Sequence, residues 1–201
     1  MTVSLERPEP AGRGANRIGG QPPEQAKSEA GFLTVAECAA VRDLALAAGF
    51  RRSLVDKGGQ YVQSRRRTSE EAMLPRTPAN DWLYERLIQA SARVNGGLWR
   101  LDLSGIQDIR ILRYRPFQRF RWHTDAKPEG IRKLTCIVAL SPRGTQWRGG
   151  LEVRGEHEGR SIARREGSVT WFPSYVRHRA TAPWWGERWV LVTWLTGATS
   201  E

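Results

Sequence analysis

From Trp99 onward the chain runs in short segments rich in β-branched and aromatic residues, each bounded by glycine or proline. Segments of that length suit strands rather than helices. The pattern predicts strands near 106–115, 119–125, 132–140, 150–154, 161–165, 168–172, 177–182 and 188–195. With no long helix between them, these strands have no parallel crossovers and must pair antiparallel.

Two helices are expected before the strands. Thr34 caps the first, with Glu37 completing a capping box. Val35, Cys38, Val41, Leu44 and Leu46 follow at near-helical spacing, and Gly49 ends the run. Pro78 and Asn80-Asp81 open the second. Tyr84, Leu87, Ile88 and Ser91 share one of its faces, Leu83 and Val94 lie at the edges, and Asn95-Gly96-Gly97 closes it. Helices first and strands after predict a mainly β fold with flanking α, a cupin-like jelly roll (double-stranded β-helix) with its helices packed on one sheet. Residues 1–30, rich in Pro, Gly and Glu, are expected to form a flexible tail. Residues 31–201 then form one domain, with helical support over 31–98 and a β-core over 99–196.

The net charge is +11, and residues 1–30 contribute nothing to it, so the excess lies on the folded part. Such a surface attracts acidic small molecules or polyanions. Cys38 and Cys136 are the only cysteines, and each sits in an apolar stretch, as core residues do. No apolar run approaches the length of a membrane span, and no secretory signal pattern opens the chain, so a soluble cytoplasmic protein is expected. Residues 51–75 alternate polar and basic groups around a short strand at 61–64, and Arg65-Arg66-Arg67 falls in a loop. That loop is either solvated or faces an acidic substrate.

Two of the three histidines stand out. Residues i and i+2 of a strand point to one face, so His123 and Asp125 project together. His178, on a distant strand, meets them only if the fold closes as a barrel or jelly roll. Two imidazoles and one carboxylate on one side of a metal leave positions open, as in non-haem Fe(II) oxygenases. H-x-D with one later histidine is a weak pattern alone. Arg188 strengthens it, because it opens the strand that should run antiparallel to that of His178. An arginine there suits the far carboxylate of a short diacid held by the metal.

The order Tyr114, Phe120, His123-Thr-Asp125, RKLTCIVAL, RGGLEV, GSVTWFP, His178 and Arg188 resembles the 2-oxoglutarate and Fe(II)-dependent dioxygenases, within them the prolyl 4-hydroxylase-like group, over about residues 100–196. The resemblance implies that His123, Asp125 and His178 ligate Fe(II). It implies that Arg188 pairs with the cosubstrate 2-oxoglutarate, that Tyr114 hydrogen-bonds it and that Thr135 lines the same pocket. O2 is the second cosubstrate, and the pattern leaves room for ascorbate as a reductant. Pro116-Phe117 replaces a glycine common in the group, and Ala139 stands where some relatives carry a tyrosine. The implied reaction couples decarboxylation of 2-oxoglutarate to succinate with hydroxylation of a C–H bond.

Arg121, Trp147 and Arg65 are the candidates for substrate contact, Arg121 because it shares a strand face with His123. Trp122 is expected in the core, and Trp184-Trp185 are weighed towards core packing. His157 is expected in an exposed turn. The substrate is a peptidyl prolyl-like group, a free amino acid or another small molecule, with natural-product tailoring (hydroxylation or desaturation) as an alternative. A zinc hydrolase would have no special use for Arg188 and Tyr114. A nucleic-acid-directed demethylase is favoured only by the charge.

Overall fold

The computed structural model describes residues 25–126, 130–154, 159–162 and 165–198. Most of the expected tail, and the turn containing His157, lie outside the described residues.

Strands and helices are numbered in chain order. Strand β1 is Lys27–Glu29, followed by α1 (Val35–Ala48), β2 (Arg51–Arg52), β3 (Val55–Lys57), β4 (Gln60–Val62), β5 (Glu70–Leu74) and α2 (Asp81–Leu98). The remaining strands are β6 (Gly105–Ile106), β7 (Ile109–Tyr114), β8 (Phe120–His123), β9 (Arg132–Ala139), β10 (Gln146–Arg154), β11 (Gly159–Ser161), β12 (Val169–Pro173), β13 (His178–Gly186) and β14 (Arg188–Thr196). The major sheet has the order β1-β12-β9-β14-β7-β5-β2, with β6 paired to the far end of β14. The minor sheet has the order β11-β10-β13-β8, and β3-β4 form a separate hairpin. All pairings are antiparallel, and the expected jelly roll is present.

The alternation along β14 divides the fold. Trp189, Leu191 and Leu195 point outwards from the major sheet, with Ile109 and Ile111 of β7 and Leu134, Cys136 and Val138 of β9. They pack against Cys38, Val41 and Ala45 of α1 and Leu83, Tyr84 and Leu87 of α2. Fully burying one such large side chain contributes about 1.5–3 kcal/mol, so this layer fixes the sheet on which the site is built. Arg188, Val190, Val192 and Trp194, the alternate set, line the cavity between the sheets.

The helices follow their sequence signals with two differences. In α1 the capping box forms as expected, Glu37 N–H donating to Thr34 Oγ1 and Thr34 N–H to Glu37 Oε2. Val35 and Leu46 are exposed, because the buried stripe is only Cys38, Val41 and Ala45. In α2 Gly96 and Gly97 lie inside the helix, which continues to Leu98. Asn95 ends it instead: its side chain accepts from Leu101 N–H and donates to Leu101 O.

Four strands escaped the sequence pattern: the short β2 and β3, and also β1 and β5. β1 lies within the expected tail, yet Lys27–Glu29 pairs with Trp171–Val169 at the sheet edge. β5 falls in the stretch expected to be loop around the basic run and pairs with β7 throughout. Its charged residues mask it, but Arg113 Nη2 holds Glu70 at 2.7 Å while Ala72 and Leu74 face the core.

The chain passes from the minor to the major sheet at Gly186–Arg188. Gly186 has φ +74, and a Cβ there would stand 1.9 Å from Thr145 O, so only glycine fits. His178 opens β13 and Arg188 opens β14, directly after this turn. No described helix is long and apolar enough to cross a membrane.

Candidate active site

His123 ends β8 and His178 begins β13, and the two are register partners. Their ring centroids lie 4.2 Å apart. Asp125 follows in the loop beyond β8, pinned by its N–H donating to Ser174 O at 2.9 Å. Its Oδ1 is 3.6 Å from His123 Nε2 and its Oδ2 3.4 Å from His178 Nε2. The three ligand atoms lie within 4.8 Å of one another.

The tautomers follow from the backbone. His123 Nδ1 lies 2.8 Å from Arg121 O, and His178 Nδ1 lies 3.0 Å from Val176 O. A carbonyl only accepts, so each Nδ1 carries the proton and each Nε2 presents a lone pair inwards. Burial, reinforced by His178, lowers the His123 pKa to about 4, which keeps its imidazole neutral at neutral pH. For Asp125, burial alone would raise the pKa. The neighbouring His178 and His123 outweigh it, and the Trp194 indole and Arg132 add to the fall. The net direction is down, towards the carboxylate. Two imidazoles, each with Nε2 turned inwards, and one carboxylate converge on a point; they form the donor set of an iron facial triad and fit Fe(II).

The triad forms one side of a cavity of about 470 Å³ between the sheets. Arg188 and Tyr114 stand on its major-sheet wall as direct register partners. The Arg188 guanidinium lies 5.2 Å from the centre of the Tyr114 ring, and both side chains are buried. The structure therefore brings His123, Asp125, His178, Arg188 and Tyr114 to one cavity.

Thr135 lies elsewhere than the resemblance implied. It is fully buried and absent from the cavity wall. Its hydroxyl donates to Asp125 Oδ2 at 2.9 Å and contacts Ser174 Oγ at 3.1 Å. It orients the carboxylate from behind.

Of the three substrate candidates, Arg121 and Arg65 lie off the cavity wall. His178 and Ala180 are two positions apart, but their β8 partners His123 and Phe120 are three apart. This irregularity lets Phe120 and His123 both face the cavity, with their rings stacked at 3.5 Å. Arg121 and Trp122 turn instead to a groove on the outside of the minor sheet, where Arg179 covers the Trp122 ring. Trp147 is exposed, and Arg148 reaches both its ring and that of Trp184. Trp184 and Trp185 are 51% and 62% exposed, so neither is core. Arg65 is exposed and off the cavity wall, whereas its neighbours Arg66 and Arg67 line it. Arg67 is held by Glu71 and Leu54 O.

Sequence reasoning missed Arg110, Arg132 and Trp194 on the cavity wall. The signal was available for two of them: Arg110 shares the β7 face of Tyr114, and Trp194 the β14 face of Arg188.

The family model of the 2OG-Fe(II) oxygenase superfamily matches residues 109–196. No curated protein matches the chain. Among solved structures, a Pseudomonas putida prolyl-4-hydroxylase has a TM-score of 0.69 at 18% identity, covering 86% of this chain and 92% of the other. A Trichoplax adhaerens prolyl hydroxylase, in complex with a hypoxia-inducible-factor peptide fragment, has a TM-score of 0.72 at 17% identity, covering 86% and 83%. SnoK, an α-ketoglutarate-dependent carbocyclase of nogalamycin biosynthesis, has a TM-score of 0.65 at 14% identity, covering 87% and 80%. Residues 109–196 thus match the 2OG-Fe(II) oxygenase superfamily, whose members are dioxygenases that use Fe(II), 2-oxoglutarate and O2, and the chain shares the jelly-roll fold of the prolyl hydroxylase structures.

Proposed function

We propose that the protein is a 2-oxoglutarate- and Fe(II)-dependent hydroxylase acting on a peptidyl, prolyl-like group or on a free amino acid or other small molecule. The observation that carries this reading is the shared cavity, with the inward Nε2 atoms and Asp125 on one wall and Arg188 beside Tyr114 on another. His123, Asp125 and His178 hold the metal. Arg188 takes the far carboxylate of 2-oxoglutarate through paired N–H donors, and Tyr114 donates its hydroxyl to the same end. Once bound, iron, 2-oxoglutarate and O2 supply the oxidising chemistry, releasing succinate and CO2 and placing one oxygen atom on a C–H bond. The protein supplies position and exclusion of water. Leu112, Ile137, Leu151, Val190 and Val192 give the wall its apolar part. Thr135 and the two backbone carbonyls hold the ligands in place, so little reorganisation accompanies turnover.

A second reading, tailoring of a natural product, is supported by the likeness to SnoK. Succinate release across free amino acids, prolyl peptides and cell extract, with mass spectrometry of the products, tests both. Gain of one oxygen atom on a proline ring or a free amino acid supports the hydroxylase, and loss of two hydrogens from a polycyclic metabolite supports tailoring. Failure to consume 2-oxoglutarate with Fe(II) under any condition overturns both.

A further inference from the structure

The cavity carries more positive charge than the metal and cosubstrate use. Arg67, Arg110 and Arg132 line it in addition to Arg188. Arg67 and Arg110 both approach Glu71 Oε2, at 3.2 and 3.6 Å, and Arg51 approaches Oε1 at 3.7 Å. One carboxylate thus serves three guanidinium groups. Arg132 has no carboxylate within ion-pair distance among the described residues, and its Nε donates to the neutral Gln107 Oε1 at 3.0 Å.

Arg110 and Arg132 meet at Trp194. The Arg132 guanidinium lies 3.7 Å from the indole centre and that of Arg110 lies 5.4 Å from it. Arg110 Nε and Trp194 Nε1 are buried and make no hydrogen bond among the described residues. Burial pulls the Arg132 pKa down, Asp125 opposes this, and Arg110 and Arg67 add to the fall. Like charges crowded on a partly buried wall cost stability, and an anion entering between them recovers it. Guanidinium groups with inward N–H donors match a planar carboxylate.

We propose that the second substrate, beside 2-oxoglutarate, is a small molecule bearing a carboxylate, which Arg110 and Arg132 hold against Trp194. This rests on the hydroxylase reading and narrows it. With its anionic end fixed there, the molecule presents a C–H bond to the side of the cavity formed by His123, Asp125 and His178. The same carboxylate chemistry could come from an acidic side chain of a peptide, and the test separates the two.

Calorimetry on the Mn(II)-loaded protein first measures 2-oxoglutarate binding, and its absence counts against the hydroxylase reading itself. With 2-oxoglutarate saturating, two matched pairs are then titrated: N-acetyl-L-proline against N-acetyl-L-prolinamide, and 3-phenylpropionate against 3-phenylpropanamide. At least one acid is expected to bind tenfold or more tightly than its amide. Arg110→Gln and Arg132→Gln are each expected to abolish that preference while leaving 2-oxoglutarate affinity within about threefold, which also shows that the variants are folded. Equal binding of acid and amide in the wild type, or no binding by either acid, overturns the proposal without need of the variants. So does a preference that survives both substitutions. Binding confined to a blocked aspartyl peptide overturns the small-molecule source.

Discussion

Arg188 and Tyr114 are direct partners across β14 and β7, with the guanidinium 5.2 Å from the phenol ring. One inter-strand register thus places a fixed cation and a hydroxyl at the same depth of the cavity. Losing a hydrogen-bonded charge costs about 1.5–3 kcal/mol. Arg188→Ala should therefore weaken 2-oxoglutarate binding by at least tenfold, with metal affinity unchanged. Calorimetry on the Mn(II)-loaded protein measures the first, and metal titration the second. Equal loss of both would assign Arg188 to the fold instead.

Thr135 acts through Asp125, as its hydroxyl donates to Oδ2. Removing a partner that orients a metal ligand typically costs 10–100-fold in metal affinity. Thr135→Val should lower metal affinity by about that factor and leave 2-oxoglutarate affinity of the metal-saturated protein unchanged, whereas Thr135→Ser should restore metal binding. If Thr135→Val instead weakens the cosubstrate at saturating metal, Thr135 contacts 2-oxoglutarate directly.

Gly186 turns the chain between the sheets at a positive φ, with Thr145 O where a Cβ would be. Gly186→Ala must both strain the backbone and push β10 from β13. A loss of about 2–4 kcal/mol in urea unfolding is expected. A variant of wild-type stability would show that the turn relaxes freely.

Hydrogen bonding to Arg86, and then to the Thr34 backbone, lowers the Glu37 pKa from 4.5 to about 2. A depressed carboxyl stabilises the folded state above the unfolded pKa, and this is lost as pH falls from about 4.5 towards 2. Glu37→Gln should therefore flatten part of the acid limb of the stability profile while changing its shape little above pH 6. Urea midpoints between pH 2 and 7 check this, and an unchanged acid limb would contradict it.

The major sheet was legible because strands such as β14 alternate an apolar outer set with a cavity-facing inner set, and because glycine or proline marks the ends. The triad was legible because His123, Asp125 and His178 are scarce residue types at a recognisable spacing. The position of Arg121 was not legible, because the irregular pairing of β8 with β13 breaks the two-residue rule between Phe120 and His123. β5 was hidden because its glutamates find arginines only after folding. Trp184 and Trp185 looked like core by residue type, yet they lie on the outer, solvent-facing end of β13. Pairing irregularities and tertiary ion pairs are properties of neighbours distant in sequence, and single-strand periodicity does not carry them.

An iron site formed by His123, Asp125 and His178 that works with 2-oxoglutarate must turn that cosubstrate over. The most direct measurement is succinate release from 2-oxoglutarate by the purified protein, with and without Fe(II), alongside His178→Ala. Fe(II)-dependent succinate formation is expected from the wild type, slow without a second substrate, and none above background from His178→Ala. Succinate formation that persists in the variant, or a wild type that binds metal yet leaves 2-oxoglutarate intact under every condition, would contradict it.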